Sequence, residues 1–114
     1  MAIEFIDIDE GLRRIFISGR LDIMGTDEIA TKFASFSSSA ERRVVVDLTA
    51  VSFLASIGIR AIITNAKALK QRGGRMVLFV GDNATVAKTL ETTGVDALIP
   101  MYLEYDAAEK GVLA

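Results

Sequence analysis

An abrupt change of hydrophobic pattern between residues 44 and 69 constrains this chain most strongly. Val44, Val45 and Val46 form an uninterrupted β-branched run, which is typical of a strand covered on both faces. From residue 59 onward the apolar side chains recur at helical spacing, and they are Ile59, Ile62, Ile63, Ala66 and Leu69. A buried strand that leads into an amphipathic helix predicts a layered α/β domain.

Ser56 lies where this helix is expected to begin. We predict that it is the N-cap, with its hydroxyl accepting a hydrogen bond from the free N–H groups of the first turn. A second role is phosphorylation, because a phosphoserine would bring about −1.5 to −2 charges to the positive end of the helix dipole. Position alone favours the cap, and the two roles are compatible in one residue.

The rest of the chain alternates between predicted strands and helices, without repeats or linkers. Residues 3–8 and 14–18 are predicted to form an antiparallel hairpin, and a helix is predicted to begin at Thr26. The later elements are predicted at residues 76–80 (strand), 83–92 (helix), 98–102 (short edge strand) and 104–112 (helix). We therefore expect one α/β domain over residues 1–114, with a mixed, mostly parallel sheet of about five strands and about four helices.

Two polar segments separate the first helix from the valine strand. The serine-rich residues 35–39 are expected to end the helix in an exposed loop. Arg42 and Arg43 are expected to be a solvated pair beside the strand, too short to form a nucleic-acid patch.

Composition excludes several classes of function. The chain has no cysteine and no histidine, which removes disulfides, histidine general bases and the usual zinc ligands. A net charge of −2 argues against nucleic acid as the main partner. No segment approaches the roughly 18 apolar residues of a membrane helix, and no secretory signal is visible. We therefore expect a cytoplasmic protein without a cofactor and without a membrane partner.

The stretch around Ser56 resembles the signature of the STAS domain family (sulfate transporter and anti-sigma factor antagonist), and is most similar to the stand-alone bacterial anti-sigma factor antagonists. The matching residues are Asp47-Leu48-Thr49, Val51, Phe53-Leu54, Ser56 and Gly58-Ile59. Further matches are Gly19, Leu21, Asp22, the pair Gly73-Gly74 and Gly94. The chain departs from the family at two positions, where Ala55 replaces an Asp and Ile57 replaces a second hydroxyl residue.

The resemblance implies a function as well as a STAS-type fold. The unphosphorylated chain would bind a serine kinase that doubles as an anti-sigma factor, and the kinase would release it by phosphorylating Ser56. A metal-dependent serine phosphatase would reset the chain, which is itself no enzyme and is expected to be a monomer or a weak dimer. The residues expected at the partner-binding surface are Asp22, Leu54, Ala55, Ser56, Ile57, Gly58 and Arg60.

Several alternatives stay open at this point. Leu54 and Ile57 fit the centre of an interface or the core equally well. Arg60, one helical turn after Ser56, fits either a phosphate contact or a solvated surface position. The whole chain could instead be a constitutive STAS subunit of a transporter or signalling assembly, with Ser56 only a helix cap. A small-molecule-binding domain is disfavoured, because no phosphate-binding glycine loop is present.

Overall fold

The computed structural model describes residues 2–38 and 42–114, which form one mixed sheet with helices on both faces. The elements, in chain order, are β1 (Ala2–Asp9), β2 (Leu12–Leu21), α1 (Ile23–Ser37), β3 (Arg43–Leu54), α2 (Ser56–Gln71), β4 (Arg75–Phe79), α3 (Ala84–Thr92), β5 (Met101–Tyr102) and α4 (Tyr105–Leu113). A short 3-10 turn, Val95–Ala97, joins α3 to β5. None of the described helices is long and apolar enough to cross a membrane.

The strands are arranged in the order β1-β2-β3-β4-β5. β1 pairs with β2 in antiparallel orientation, and the other three pairs are parallel. This arrangement confirms the predicted fold class. The parallel strands end at one edge of the sheet, so the carboxyl ends of β2 and β3 lie side by side.

The valine run is buried on both faces, as predicted. Val44 and Val46 belong to the main core, which the sheet forms with α1, α2 and α3. Val45 faces the other way and packs in a smaller core with Val77 of β4 and with α4. All three side chains have no exposed surface, and burial of each contributes about 1.5–3 kcal/mol.

β3 is longer than its valine run and irregular in its second half. It continues to Leu54, and its register with β2 shifts twice between Phe16 and Arg20. The carboxylate of the buried Asp47 stabilises the first irregular segment. Its Oδ1 accepts hydrogen bonds from the backbone N–H (2.9 Å) and hydroxyl (2.6 Å) of Thr49, and its Oδ2 accepts one from Arg14 Nη2 at 2.7 Å.

Asn83 stabilises the same segment of β3. Its Nδ2 donates to the carbonyl oxygens of Leu48 (2.9 Å) and Val51 (2.7 Å). Its Oδ1 accepts a hydrogen bond from Val86 N at 3.3 Å, so Asn83 is also the N-cap of α3. One side chain therefore joins the start of α3 to the part of β3 that leads to Ser56.

Two polar segments differ from the sequence prediction. Ser37 is buried in the last turn of α1, where its hydroxyl donates to Phe33 O at 2.6 Å, so it is not a loop residue. Ser39 lies outside the described residues. Arg42 forms an ion pair with Asp7 at 3.3 Å, and Arg43 donates to Gly73 O. Both arginines thus have partners in the fold and are not simply solvated.

Candidate functional site

Ser56 is the first residue inside α2 and not its N-cap, so the cap lies one residue earlier than predicted. The N-cap is Ala55, which has an extended backbone, and its carbonyl accepts the first helical hydrogen bond from Ile59 N at 3.1 Å. The prediction that the Ser56 hydroxyl caps the helix is therefore wrong. Among the described residues the exposed hydroxyl has no hydrogen-bond partner, and it is free to react or to contact another protein.

Close packing between α2 and the end of β2 determines the position of Ser56. The backbone N–H of Ala55 donates to Leu21 O at 3.0 Å. Gly58 is buried against the same residue, and a Cβ atom added there would lie 2.8 Å from the Leu21 Cβ and 2.9 Å from the Leu21 carbonyl oxygen. The absence of a side chain at Gly58 thus lets the first turn of α2 rest on β2.

The structure divides the seven predicted surface residues into two groups. Leu54 and Gly58 are buried, so they support the surface from below; for Leu54 the core alternative holds. The other five, which are fully or partly exposed, are Asp22, Ala55, Ser56, Ile57 and Arg60. All seven lie at or next to the carboxyl ends of β2 and β3 and the first turns of α1 and α2.

Asp22 is the N-cap of α1, which begins at Ile23 and not at Thr26 as predicted. Its Oδ1 accepts a hydrogen bond from Gly25 N at 2.8 Å, and its Oδ2 accepts one from Arg20 Nε at 3.3 Å. The bond from Gly25 and, to a lesser extent, the Arg20 guanidinium lower the pKa of the Asp22 carboxyl. Asp22 therefore presents a carboxylate next to the end of β2 at neutral pH.

Sequence reasoning missed four exposed residues of this surface. Ile23 and Met24, in the first turn of α1, are 71% and 82% exposed. Phe53, near the end of β3, is 39% exposed, and the guanidinium carbon of Arg20 lies 4.4 Å from the centroid of its ring. The signal for Ile23 and Met24 was the Asp22 that precedes them, because an N-cap at Asp22 puts both side chains in a first helical turn.

Arg60 lies on the exposed side of α2, one turn after Ser56. It forms no hydrogen bond or ion pair with any other described residue. Its five N–H donors are therefore available to an anion. The surface as a whole combines a free hydroxyl, exposed apolar side chains and two arginines. No three described residues of the His, Cys, Asp or Glu type are grouped as metal ligands.

Residues 6–108 match the model of the STAS domain. A Bordetella bronchiseptica protein, BtrV, whose name describes it as a candidate anti-sigma factor antagonist, is 26% identical over 103 residues, which are 90% of this chain and 88% of BtrV.

Solved structures are similar over nearly the whole chain. An anti-sigma factor antagonist from Mycobacterium paratuberculosis superposes with a TM-score of 0.83 at 21% identity, covering 99% of this chain and 96% of that one. The antagonist SpoIIAA in its unphosphorylated form gives a TM-score of 0.73 at 19% identity, covering 96% and 95%. The Bacillus SpoIIAA in its phosphorylated form gives 0.67 at 18%, covering 96% and 98%. From the match over residues 6–108 and the shared fold, we conclude that this chain belongs to the STAS domain family.

Proposed function

We propose that this chain is an anti-sigma factor antagonist whose binding to its partner is controlled by phosphorylation of Ser56. The unphosphorylated form binds a serine kinase that is also the anti-sigma factor. The kinase transfers a phosphoryl group to Ser56 and thereby releases the chain, and a serine phosphatase restores it. The observation that carries this proposal is the exposed, unbonded hydroxyl of Ser56 in the first turn of α2.

The surroundings of Ser56 suit a protein partner. Ile23, Met24 and Phe53 expose apolar area on neighbouring elements. Exposed apolar and aromatic side chains beside polar groups are typical of the centre and rim of protein interfaces. Met and Phe are among the residues enriched at such interfaces. The buried Leu54 and Gly58 keep the backbone beneath this surface fixed.

A phosphate on Ser56 would weaken such a complex strongly. It adds about −1.5 to −2 charges at pH 7. If the partner covers Ser56, this charge loses its hydration, which costs several kcal/mol unless cations replace the water. Because each 1.4 kcal/mol changes an affinity about tenfold, the loss is enough to dissociate a micromolar complex.

Relatives support control of such a chain by phosphorylation. SpoIIAA is an antagonist that has been solved in an unphosphorylated and a phosphorylated form, and the name of BtrV describes the same class of protein. In this chain Ala55 stands where the family signature has an Asp. The residue directly before Ser56 therefore carries no carboxylate, and we expect the change to affect the rate of phosphorylation and not its position.

The first experiment is phosphosite mapping by mass spectrometry on the protein from its native cells, in growing and in stressed cultures. We expect phosphate on Ser56 in a condition-dependent fraction of the molecules. Ser52, another exposed serine four residues earlier on β3, serves as the internal control and should remain unmodified. An unmodified Ser56 in every condition would contradict the proposal.

The second experiment measures binding once the kinase is identified. Ser56→Ala should bind the kinase like the unphosphorylated wild type and resist release by ATP, whereas Ser56→Asp should bind the kinase more weakly.

Arg60→Ala should weaken binding of the kinase or shorten the lifetime of the phosphorylated state, since Arg60 is free to contact a phosphate. Unchanged values in Arg60→Ala would exclude that role. Stable association with a larger assembly, unaffected by Ser56→Ala, would favour a constitutive STAS subunit.

A further inference from the structure

Two exposed contacts hold Arg20 at the end of β2. Its Nε donates to Asp22 Oδ2 at 3.3 Å, and its guanidinium carbon lies 4.4 Å from the centroid of the Phe53 ring. The side chain of Arg20 is 61% exposed and that of Asp22 is 39% exposed. Contacts of this kind are weakened by water and salt, so the guanidinium can leave them for a stronger anion.

Backbone pairing brings the end of β2, where Arg20 lies, next to the start of α2. Arg20 and Phe53 are register partners in the β2–β3 pair. One position further along, Leu21 O accepts the hydrogen bond from Ala55 N at 3.0 Å. Asp22 and Ser56 each follow one member of that bonded pair. The residue that Arg20 contacts, Asp22, therefore follows β2 where Ser56 begins α2.

We infer that Arg20 changes partners when Ser56 is phosphorylated: its guanidinium leaves Asp22 and Phe53 and binds the phosphate. This inference rests on the proposed function, since it requires the phosphate on Ser56. A phosphate carries more charge than a carboxylate and offers three acceptor oxygens. A guanidinium binds it with two parallel N–H donors, which is a stronger contact than the single 3.3 Å bond to Asp22.

The hydrogen bonds of Asp22 allow this exchange without unfolding α1. Gly25 N donates to Oδ1 of Asp22, while Arg20 donates to Oδ2. When Arg20 leaves, the bond from Gly25 remains and α1 stays capped. The exchange leaves Asp22 without its counter-ion and uncovers the ring of Phe53. A partner would therefore meet changes at three neighbouring positions and not only a new phosphate.

The test measures the second pKa of the phosphate by ³¹P NMR titration, on full-length protein that carries phosphoserine installed at position 56 during its production. A nearby guanidinium favours the dianion and lowers this pKa, which is about 6 for an unperturbed phosphoserine. We expect the pKa to rise by about half a unit or more in Arg20→Ala. Arg20→Lys, which keeps the charge but loses the paired donors, should give an intermediate value.

Arg72→Ala is the matched control. It removes the same charge from the far end of α2, which has 16 residues and is about 24 Å long. This distance exceeds the screening length of about 10 Å in 0.1 M salt, so the phosphate pKa should equal that of the wild type.

A second readout is the Nε–H resonance of Arg20, which should shift on phosphorylation and follow the phosphate titration.

Two results would overturn the inference. One is a phosphate pKa in Arg20→Ala equal to that of the wild type. This includes the case in which Arg60→Ala raises the phosphate pKa and Arg20→Ala does not, because Arg60 would then be the arginine that binds the phosphate. The other is an Arg20 Nε–H resonance that phosphorylation leaves unchanged. Because the phosphoserine is installed without the kinase, these results do not depend on the proposed function. Conversely, absence of phosphate on Ser56 in cells would refute the function while the Arg20 contact could still be measured.

Discussion

Replacement of Asn83 by Ala tests how the approach to Ser56 is stabilised. The substitution removes the N-cap of α3 and the two Nδ2 hydrogen bonds to Leu48 O and Val51 O. An N-cap contributes about 1 kcal/mol, and each amide–carbonyl bond contributes about 0.5–1.5 kcal/mol. We therefore expect a loss of about 2–4 kcal/mol in the free energy of unfolding, a large part of the 5–15 kcal/mol that a domain typically has.

Urea denaturation followed by circular dichroism measures this loss. With a slope of about 1.5 kcal/mol per molar urea, the midpoint should fall by about 2 M. Asn65→Ala is the matched control, because the Asn65 Nδ2 donates only to Ala61 O within its own helix and Ala is the better helix former. If Asn83→Ala destabilised the protein no more than Asn65→Ala, the inferred link between α3 and β3 would be wrong.

Three further perturbations follow from the contacts described above. Arg14→Ala leaves the buried Asp47 carboxylate without its cation, and should lower the free energy of unfolding by about 3–5 kcal/mol. The control Arg42→Ala breaks a more exposed pair and should lower it by less than about 1 kcal/mol. Equal losses of the two variants in urea denaturation would contradict this ranking. Gly58→Ala gains about 1 kcal/mol of helix propensity but forces a Cβ against Leu21, which costs about 1–3 kcal/mol. We expect a net loss of up to about 2 kcal/mol in the free energy of unfolding. A stabilised variant would show that α2 can move away from β2 freely. The pKa of Asp22 is lowered in the folded state, so its stabilising effect is complete above the unfolded pKa near 4 and disappears as the pH falls through the lower folded pKa. The difference in free energy of unfolding between the wild type and Asp22→Asn should therefore shrink below about pH 4 in an acid denaturation series. A constant difference would argue against the Asp22 contacts.

The predictable part of the fold is the part encoded by local pattern. The valine run lies in β3, and the apolar side chains at helical spacing lie in α2. The antiparallel hairpin and the parallel order of the later strands also agree with the sequence. These features depend on side-chain periodicity over several residues, which a single sequence displays directly.

The errors concern positions where a distant residue decides the local structure. Ala55 and not Ser56 caps α2, because the bond from Ala55 N to Leu21 O fixes where the helix starts. Ser37 is buried in the last turn of α1, near Asn65 and Ala68 of α2. The role of Asn83 depends on β3 residues more than 30 positions away. No local pattern around these residues contains that information.

The surface around Ser56 was predicted only in part for the same reason. The family signature identified Ser56 and Asp22, since both lie in short recognisable motifs. Arg20 and Phe53 become neighbours only through the register of β2 with β3. That register shifts twice, so an ideal parallel alignment of the two strands would not have paired them.

The small second core gives α4 a different dynamic character from the rest of the domain. This helix fully buries two residues, Ala108 and Val112, and partly buries Tyr105, against Leu12, Val45 and Val77. Its last turn is held by Arg75, which donates to the carbonyl oxygens of Gly111 and Ala114. A helix with so little apolar burial can detach in a local opening that needs less free energy than global unfolding. Its amide protons should then exchange with solvent sooner than those of β3, and each opening briefly exposes an apolar strip of the sheet through which two molecules can associate.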